Sequence, residues 1–267
     1  MQDTARIFPV NPVLIARDGA IATVTLNNPA RLNALGKPMW RALRDAMREL
    51  GADADLRCIV LRGAGDKAFA AGADIAEFAT ERANAAQAKE YGALIHEAMQ
   101  AVARCRHPTV ALIQGACIGG GLEIAAMCDL RICGTSSRFG VPINRLGLTM
   151  AYGELDGLLA LAGRAVTLEI LLEGRVFDAD EAFCKGLVNK VMPDSEVERE
   201  AYAAAGRIAA GAPLVARWHK QFIDRLTVRA AVTPGEWDEG FACFDTADYR
   251  EGVAAFLAKR KPEFKGR

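Results

Sequence analysis

An α/β layer fold is what this sequence of 267 residues predicts, and three observations carry that prediction. A short, continuously apolar, β-branched run at residues 58–61 is what a strand buried on both faces requires, and 109–113 and 130–133 read as two more buried strands. Between them lie stretches whose apolar residues return at helical spacing or whose small-residue loops open towards a helix. The connections are short, and a strand–helix–strand–helix–strand order of this kind builds a largely parallel sheet covered by helices.

Each element has a local reason. Residues 13–16 and 21–27 read as a hairpin around Arg17-Asp18-Gly19, because Asp-Gly favours the positive φ of a tight turn. Asn28-Pro29 ends it. Met39, Leu43, Met47 and Leu50 then repeat at helical spacing after Pro38, a good first-turn residue, so 38–50 is an amphipathic helix. Its polar face carries Arg41, Arg44, Asp45 and Arg48. Tyr91, Leu94, Ile95, Ala98 and Val102 mark the buried stripe of a further helix. From Glu154 the pattern is almost wholly helical, with Asp178 and Glu181 spaced as a capping box over 179–185 and only 188–191 extended. After Met192-Pro193-Asp194 the chain is alanine-rich and then amphipathic as far as Phe256. This divides it into a core at 1–194 and a helical C-terminal region at 195–267. No fixed-period repeat is visible.

Composition excludes several classes of function. Thirty-three Lys and Arg balance thirty-three Asp and Glu, so no general field attracts nucleic acid or anionic lipid. The longest mostly apolar stretch, 108–122, carries Gly115, Gly119, Gly120 and Gly121 and falls short of the about 20 residues that a membrane helix needs. The opening MQDTARIFPVNP has Asp3 and no apolar run, which argues against a secretory leader and for a cytoplasmic protein. Seven cysteines without CxxC spacing, and His96, His107 and His219 scattered along the chain, read as reduced core thiols with no metal site.

Two segments carry the chemistry. CIVLRGAGDKAFAAGAD ends at Asp74 and TVALIQGACIGGGLE ends at Glu123; each is a buried strand, a small-residue loop and an acidic residue opening a helix. Such loops leave backbone N–H groups aimed outward at the positive end of a helix dipole, and two side by side make a pocket for an oxyanion. The N–H groups of Ala73 and Gly120 are the candidate donors, and Glu123, one turn beyond, is a candidate acid or base. The competing account is a tight strand-to-helix connection with a dipole-favoured acid in its first turn. Gly63-Ala64-Gly65-Asp66-Lys67-Ala68 matches a dinucleotide-binding GxGxxA pattern, but it leads into another loop instead of a helix.

The same motifs closely resemble the crotonase superfamily, the enoyl-CoA hydratase/isomerase family. The resemblance spans VTLNNPARLNAL at 24–35, KAFAAGADI at 67–75, GACIGGGLEIAAMCDLRI at 115–132, RFGVPINRLGL at 138–148 and EGVAAFLAKRKPEFK at 251–265. It implies a crotonase spiral of ββα units with a helical C-terminal trimerisation region, assembled as a homotrimer or as a hexamer of two trimers. It also implies an acyl-CoA thioester whose carbonyl sits between the N–H groups of Ala73 and Gly120, with no cofactor beyond the CoA of the substrate. Arg31 is then expected near the CoA phosphates, Ala71, Asp74 and Ile75 near adenine and pantetheine, and Lys259 at a neighbouring subunit's CoA.

One departure matters more than the matches. Hydratases of this family carry a second glutamate in a PE dipeptide after FG, and here that position is Ile143, within Phe139-Gly140-Val141-Pro142-Ile143. An aliphatic side chain transfers no proton, so Ile143 can only shape the substrate pocket. Three repairs are open: Glu154 or Asp156 as the second carboxylate, Asn144 and Arg145 binding a polar acyl group, or Glu123 acting alone. Glu154 also has a plain structural account as a first-turn acid. Hydration of a 2-enoyl-CoA is the leading expectation. The alternatives are Δ3,Δ2-enoyl-CoA isomerisation, which needs one base, another enolate reaction such as decarboxylation or thioester hydrolysis, and a non-catalytic acyl-CoA-binding scaffold. The acyl end of the pocket is expected from 77–100 and 150–162.

Overall fold

Strands with apolar side chains on both faces build the centre of the molecule. The computed structural model describes residues 11–227, 233–239 and 241–267; most of the opening stretch that bears on a secretory leader lies outside them. The hairpin forms as β1 (Val13–Asp18) and β2 (Ile21–Leu26), with Val13 opposite Leu26 and Asp18 opposite Ile21. Next come α1 (Lys37–Ala52), β3 (Cys58–Gly63), β4 (Ala68–Ala70), the single turn α2 (Phe78–Glu81) and α3 (Ala85–Ala103). β5 (Thr109–Ile113), β6 (Ala116–Ile118) and α4 (Gly120–Met127) follow, then β7 (Leu130–Gly134), β8 (Arg138–Gly140) and α5 (Tyr152–Glu173). The remainder is β9 (Phe177–Asp178), α6 (Ala179–Cys184), β10 (Lys190–Met192), α7 (Val197–Ala209), α8 (Pro213–Thr227), α9 (Pro234–Glu239) and α10 (Ala247–Leu257).

The strands sort into two sheets. One has six strands in the order β1-β2-β3-β5-β7-β10, parallel from β2 onward; the other has four, β4-β6-β8-β9, with β4, β6 and β8 parallel. Three consecutive passages, β3–β4–α3, β5–β6–α4 and β7–β8–α5, each place one strand in the large sheet, one in the small sheet and a helix outside. This is a spiral of ββα units. The sequence reading finds the three long strands and misses β4, β6 and β8, because three residues of mostly small side chains are too short to show a period.

Alternation decides what each face covers. Cys58, Val60, Val110, Leu112 and Ile132 face α7 and bury Val197, Ala201, Ala204 and Ala205. Ile59, Leu61, Ala111, Ile113 and Cys133 face the main core with Trp40, Leu43 and Met47 of α1. Half of the capping box forms: the Asp178 carboxylate accepts the Glu181 N–H at 2.9 Å, while the Glu181 carboxylate turns to Arg175 instead of back to Asp178. The extended structure expected at 188–191 is shifted towards the C-terminus, to Lys190–Met192. All seven cysteines are free thiols, five of them buried. Among the described residues no helix is long and apolar enough to cross a membrane, and no group of three or more His, Cys, Asp or Glu is placed to hold a metal ion.

Candidate active site

The two small-residue loops meet. A Cβ added at Gly119 would lie 3.8 Å from the Cα of Gly72, and one added at Gly72 only 3.2 Å from the Ile118 carbonyl oxygen. The three glycines of the second loop each serve a different need. Gly119 sits at φ 51°, ψ −120° and donates its N–H to the Gly140 carbonyl at 2.8 Å. At Gly120 a Cβ would meet Leu35 Cδ1 at 2.8 Å and Trp40 at 3.2 Å; at Gly121 it would lie 2.4 Å from the Ala70 carbonyl oxygen. The last obstacle is backbone, which has no rotamer by which to yield.

The first loop is positioned differently from the sequence expectation. Asp74 does not open an α-helix. It caps a three-residue 3-10 turn, Ile75–Glu77, by accepting the Ala76 N–H at 3.1 Å, so little helix dipole stands behind Ala73. Hydrogen bonds to residues 32–35 fix the loop instead: Ala71 N–H to Leu32 O at 3.0 Å, Leu35 N–H to Gly72 O at 2.8 Å and Asp74 N–H to Leu35 O at 3.1 Å. These bonds flank Ala73 and leave its N–H without a protein acceptor among the described residues. The Gly120 N–H, at the start of α4, is an orphan by helix geometry.

Asn33, which sequence reasoning did not single out, secures the segment doing the stapling. Its buried amide donates to Ala68 O at 2.8 Å and Ala64 O at 3.1 Å, and accepts the Asn28 N–H at 3.0 Å. The only available signal was its place in a motif beside Leu32, both residues lying at positive φ.

Ala71, Ala73, Ile75, Gly120, Glu123, Ile143 and Glu154 line one cavity of about 180 Å³. Glu123 is 7% exposed, and its carboxyl group has no hydrogen-bond partner among the described residues. Burial above all, and then the negative charge of Glu154, push it up to about 8, while Arg82 pulls the other way. Glu154 does two things at once: its Oε2 accepts the Ala151 N–H at 2.9 Å, capping α5, and its side chain also lines the cavity. Ile143 adds only apolar wall.

Other predicted residues lie elsewhere. Arg31 is exposed and pairs with Asp74 at 2.5 Å, outside the cavity lining. Lys259 is exposed just beyond α10, at φ 53°. Asn144 anchors its loop by donating to Leu172 O at 2.9 Å, and Arg145 and Asp156 are exposed and line none of the cavity. The cationic side chain that does line it is Arg82, with Phe78 and Ile95 from the expected 77–100 stretch. Arg82 was not legible in the sequence because its surroundings, Glu81-Arg82-Ala83-Asn84, read as an ordinary charged surface turn.

Comparison with known proteins agrees with this architecture. The family model for enoyl-CoA hydratase/isomerase matches residues 16–267. A short-chain-enoyl-CoA hydratase of Clostridium acetobutylicum is 34% identical over 97% of this chain and 99% of that protein. A crotonyl-CoA hydratase of Syntrophomonas wolfei is 34% identical over 94% of this chain and 97% of that protein. A crystal structure described as an enoyl-CoA hydratase/carnithine racemase from Magnetospirillum magneticum superposes with a TM-score of 0.95, at 53% identity and 97% coverage of both chains. The fold and the paired loops define a crotonase-fold protein. The chain belongs to the enoyl-CoA hydratase/isomerase family.

Proposed function

We propose that this protein hydrates a short 2-enoyl-CoA, with the Ala73 and Gly120 N–H groups as oxyanion hole and Glu123 and Glu154 as the carboxyl pair. The observation that carries the reading is the shared cavity, in which Glu123 and Glu154 face the two loop ends. Water donates a proton to the free oxygen of Glu154 and adds as hydroxide to the β carbon. The C=C electron pair moves to the thioester oxygen, where the two N–H groups stabilise the enolate. Glu123, held protonated at neutral pH by burial, delivers its proton to the α carbon. Transfer of a proton from Glu154 to Glu123 through solvent restores the starting state. Glu154 thereby takes the role that Ile143 cannot.

Crotonyl-CoA hydration, followed by loss of the conjugated thioester absorbance, tests this in wild type, Glu123→Gln and Glu154→Gln. Loss of about 100- to 10,000-fold in both variants is expected of a general acid and a general base. Isomerisation is the second reading, favoured by the aliphatic wall at Ile143. It predicts conversion of 3-enoyl- to 2-enoyl-CoA without hydration, sensitive to Glu123→Gln and much less so to Glu154→Gln.

Assembly belongs to the same proposal. Phe256, Leu257, Phe241 and Phe244 are exposed, the first two by 83% and 75%, and an apolar groove runs along Val253, Phe256 and Leu257. Burying such a surface against further copies of the chain supports 195–267 as the oligomerisation region of a homotrimer or a hexamer. Arg31, Asp74 and a neighbour's Lys259 are then assigned to the CoA moiety at the cavity mouth, and the seven free thiols suit a reducing cytoplasm.

A further inference from the structure

Arg82 is the residue that the hydration scheme leaves unexplained. Its guanidinium lies 4.1 Å from the ring centroid of Tyr91 and 5.0 Å from that of Phe78, so both aromatic side chains hold it. Tyr91 is itself fixed, donating its hydroxyl to Glu77 Oε2 at 2.9 Å, and Glu77 also accepts the Lys37 N–H at 2.8 Å. The arginine is therefore presented on a rigid platform.

Among the described residues no group accepts a hydrogen bond from it, although its charge is felt at Glu123. Every other half-buried or buried arginine among the described residues donates to a carboxylate or a backbone carbonyl: Arg44, Arg57, Arg62, Arg131, Arg175, Arg217 and Arg225 all do so. Arg82 Nε is buried without a partner, and no acidic oxygen of the described residues lies within 4 Å of the guanidinium, although Glu123 and Glu154 line the same cavity. Aromatic contacts occupy faces and leave edges, and the edge of a guanidinium is a planar set of N–H donors matched to a carboxylate. A purely hydrocarbon acyl chain would leave the buried Nε–H unpaired, which is unfavourable in a half-buried wall.

We propose that Arg82 receives a carboxylate at the far end of the acyl group, so that the preferred ligands are CoA thioesters of short dicarboxylic acids. The inference rests on the acyl-CoA reading of the cavity and adds its substrate class. Length follows from volume: about 180 Å³ is below the roughly 300 to 1,000 Å³ of pockets for drug-sized ligands. Position follows from the walls, since Arg82 projects from the α2–α3 connection while the oxyanion donors come from the loops after β4 and β6.

The test is equilibrium binding by calorimetry of butyryl-CoA and glutaryl-CoA. These saturated thioesters differ by one terminal carboxylate and cannot be hydrated. Wild type is expected to bind glutaryl-CoA at least about tenfold more tightly, the lower end for a charge-assisted hydrogen bond. In Arg82→Met the preference falls to within about twofold, and in Arg82→Lys, which keeps charge but not the planar fork, it is intermediate. Equal affinities in wild type, or a preference that survives in Arg82→Met, overturn the proposal. Failure of the hydration reading is seen separately, as a lack of crotonyl-CoA turnover beside an intact binding contrast.

Discussion

The two loops that meet at the cavity reach a similar outcome by different means. At Gly119–Gly121 the donor is the first N–H of α4, backed by two turns of helix and by glycines that the neighbouring chain makes obligatory. At Gly72–Asp74 a 3-10 turn and then the single turn α2 follow, and the donor is held by hydrogen bonds on either side of Ala73 to residues 32–35. A free, aimed N–H therefore needs no helix dipole. It needs neighbours that fix the backbone while leaving that one group unpaired.

The comparison can be broken most severely at the α4 loop, where Glu123 also resides. Glu123→Gln is expected to slow turnover by about 1,000-fold, measured as kcat on crotonyl-CoA. The same substitution should stabilise the protein at alkaline pH. Glu123 is raised from its ordinary value to about 8 by burial; between its unfolded value and about 8 the native state holds a proton that the unfolded state has lost. Stability thus falls as pH rises through that window, and urea midpoints across pH 5 to 9 should show a decline in wild type that Glu123→Gln reduces. Hydration that depends on protonated Glu123 should decline over the same alkaline limb.

Gly121→Ala comes next, because its Cβ would lie 2.4 Å from a backbone oxygen; overpacking of this kind costs about 1–3 kcal/mol or more, read from the urea midpoint. On the other loop, Asn33→Ala removes the side-chain donor to one buried and one half-buried carbonyl group and is expected to cost about 2 kcal/mol. It should also lower kcat if the staple is what aims Ala73, whereas unchanged kcat in the folded variant would show that the Leu35 bonds suffice. The smallest effect belongs to Arg31→Ala, which removes an exposed ion pair with Asp74 worth under about 1 kcal/mol. A change in KM larger than the change in stability would tie Arg31 to CoA.

Local chemistry made much of this legible in advance. Asp18-Gly19 announced the hairpin, the Met39, Leu43, Met47 and Leu50 stripe announced α1, and Asp178 with Glu181 announced the start of α6. Buried strands at Thr109–Ile113 and Leu130–Gly134 were visible because most of their side chains are apolar, Arg131 being the charged exception. The short strands of the second sheet were not, since pairing with distant strands, and not their own pattern, makes them extended. Asp74 was read as opening a helix because an acidic residue after a small-residue loop carries the same local signal whether one turn follows or several.

What the sequence determined by itself is the set of local choices: which runs are buried, where helices start, where glycine is required, and the motifs that mark the family. Only the tertiary structure decided which side chains share a cavity. Glu154 and Arg82 are 31 and 41 residues from Glu123 along the chain, and they meet it because successive ββα passages stack α5 and the α2–α3 connection around α4. Burial raises Glu123 only in that company, and Arg82 lacks a partner only there, because desolvation and unpaired donors are properties of surroundings and not of residues.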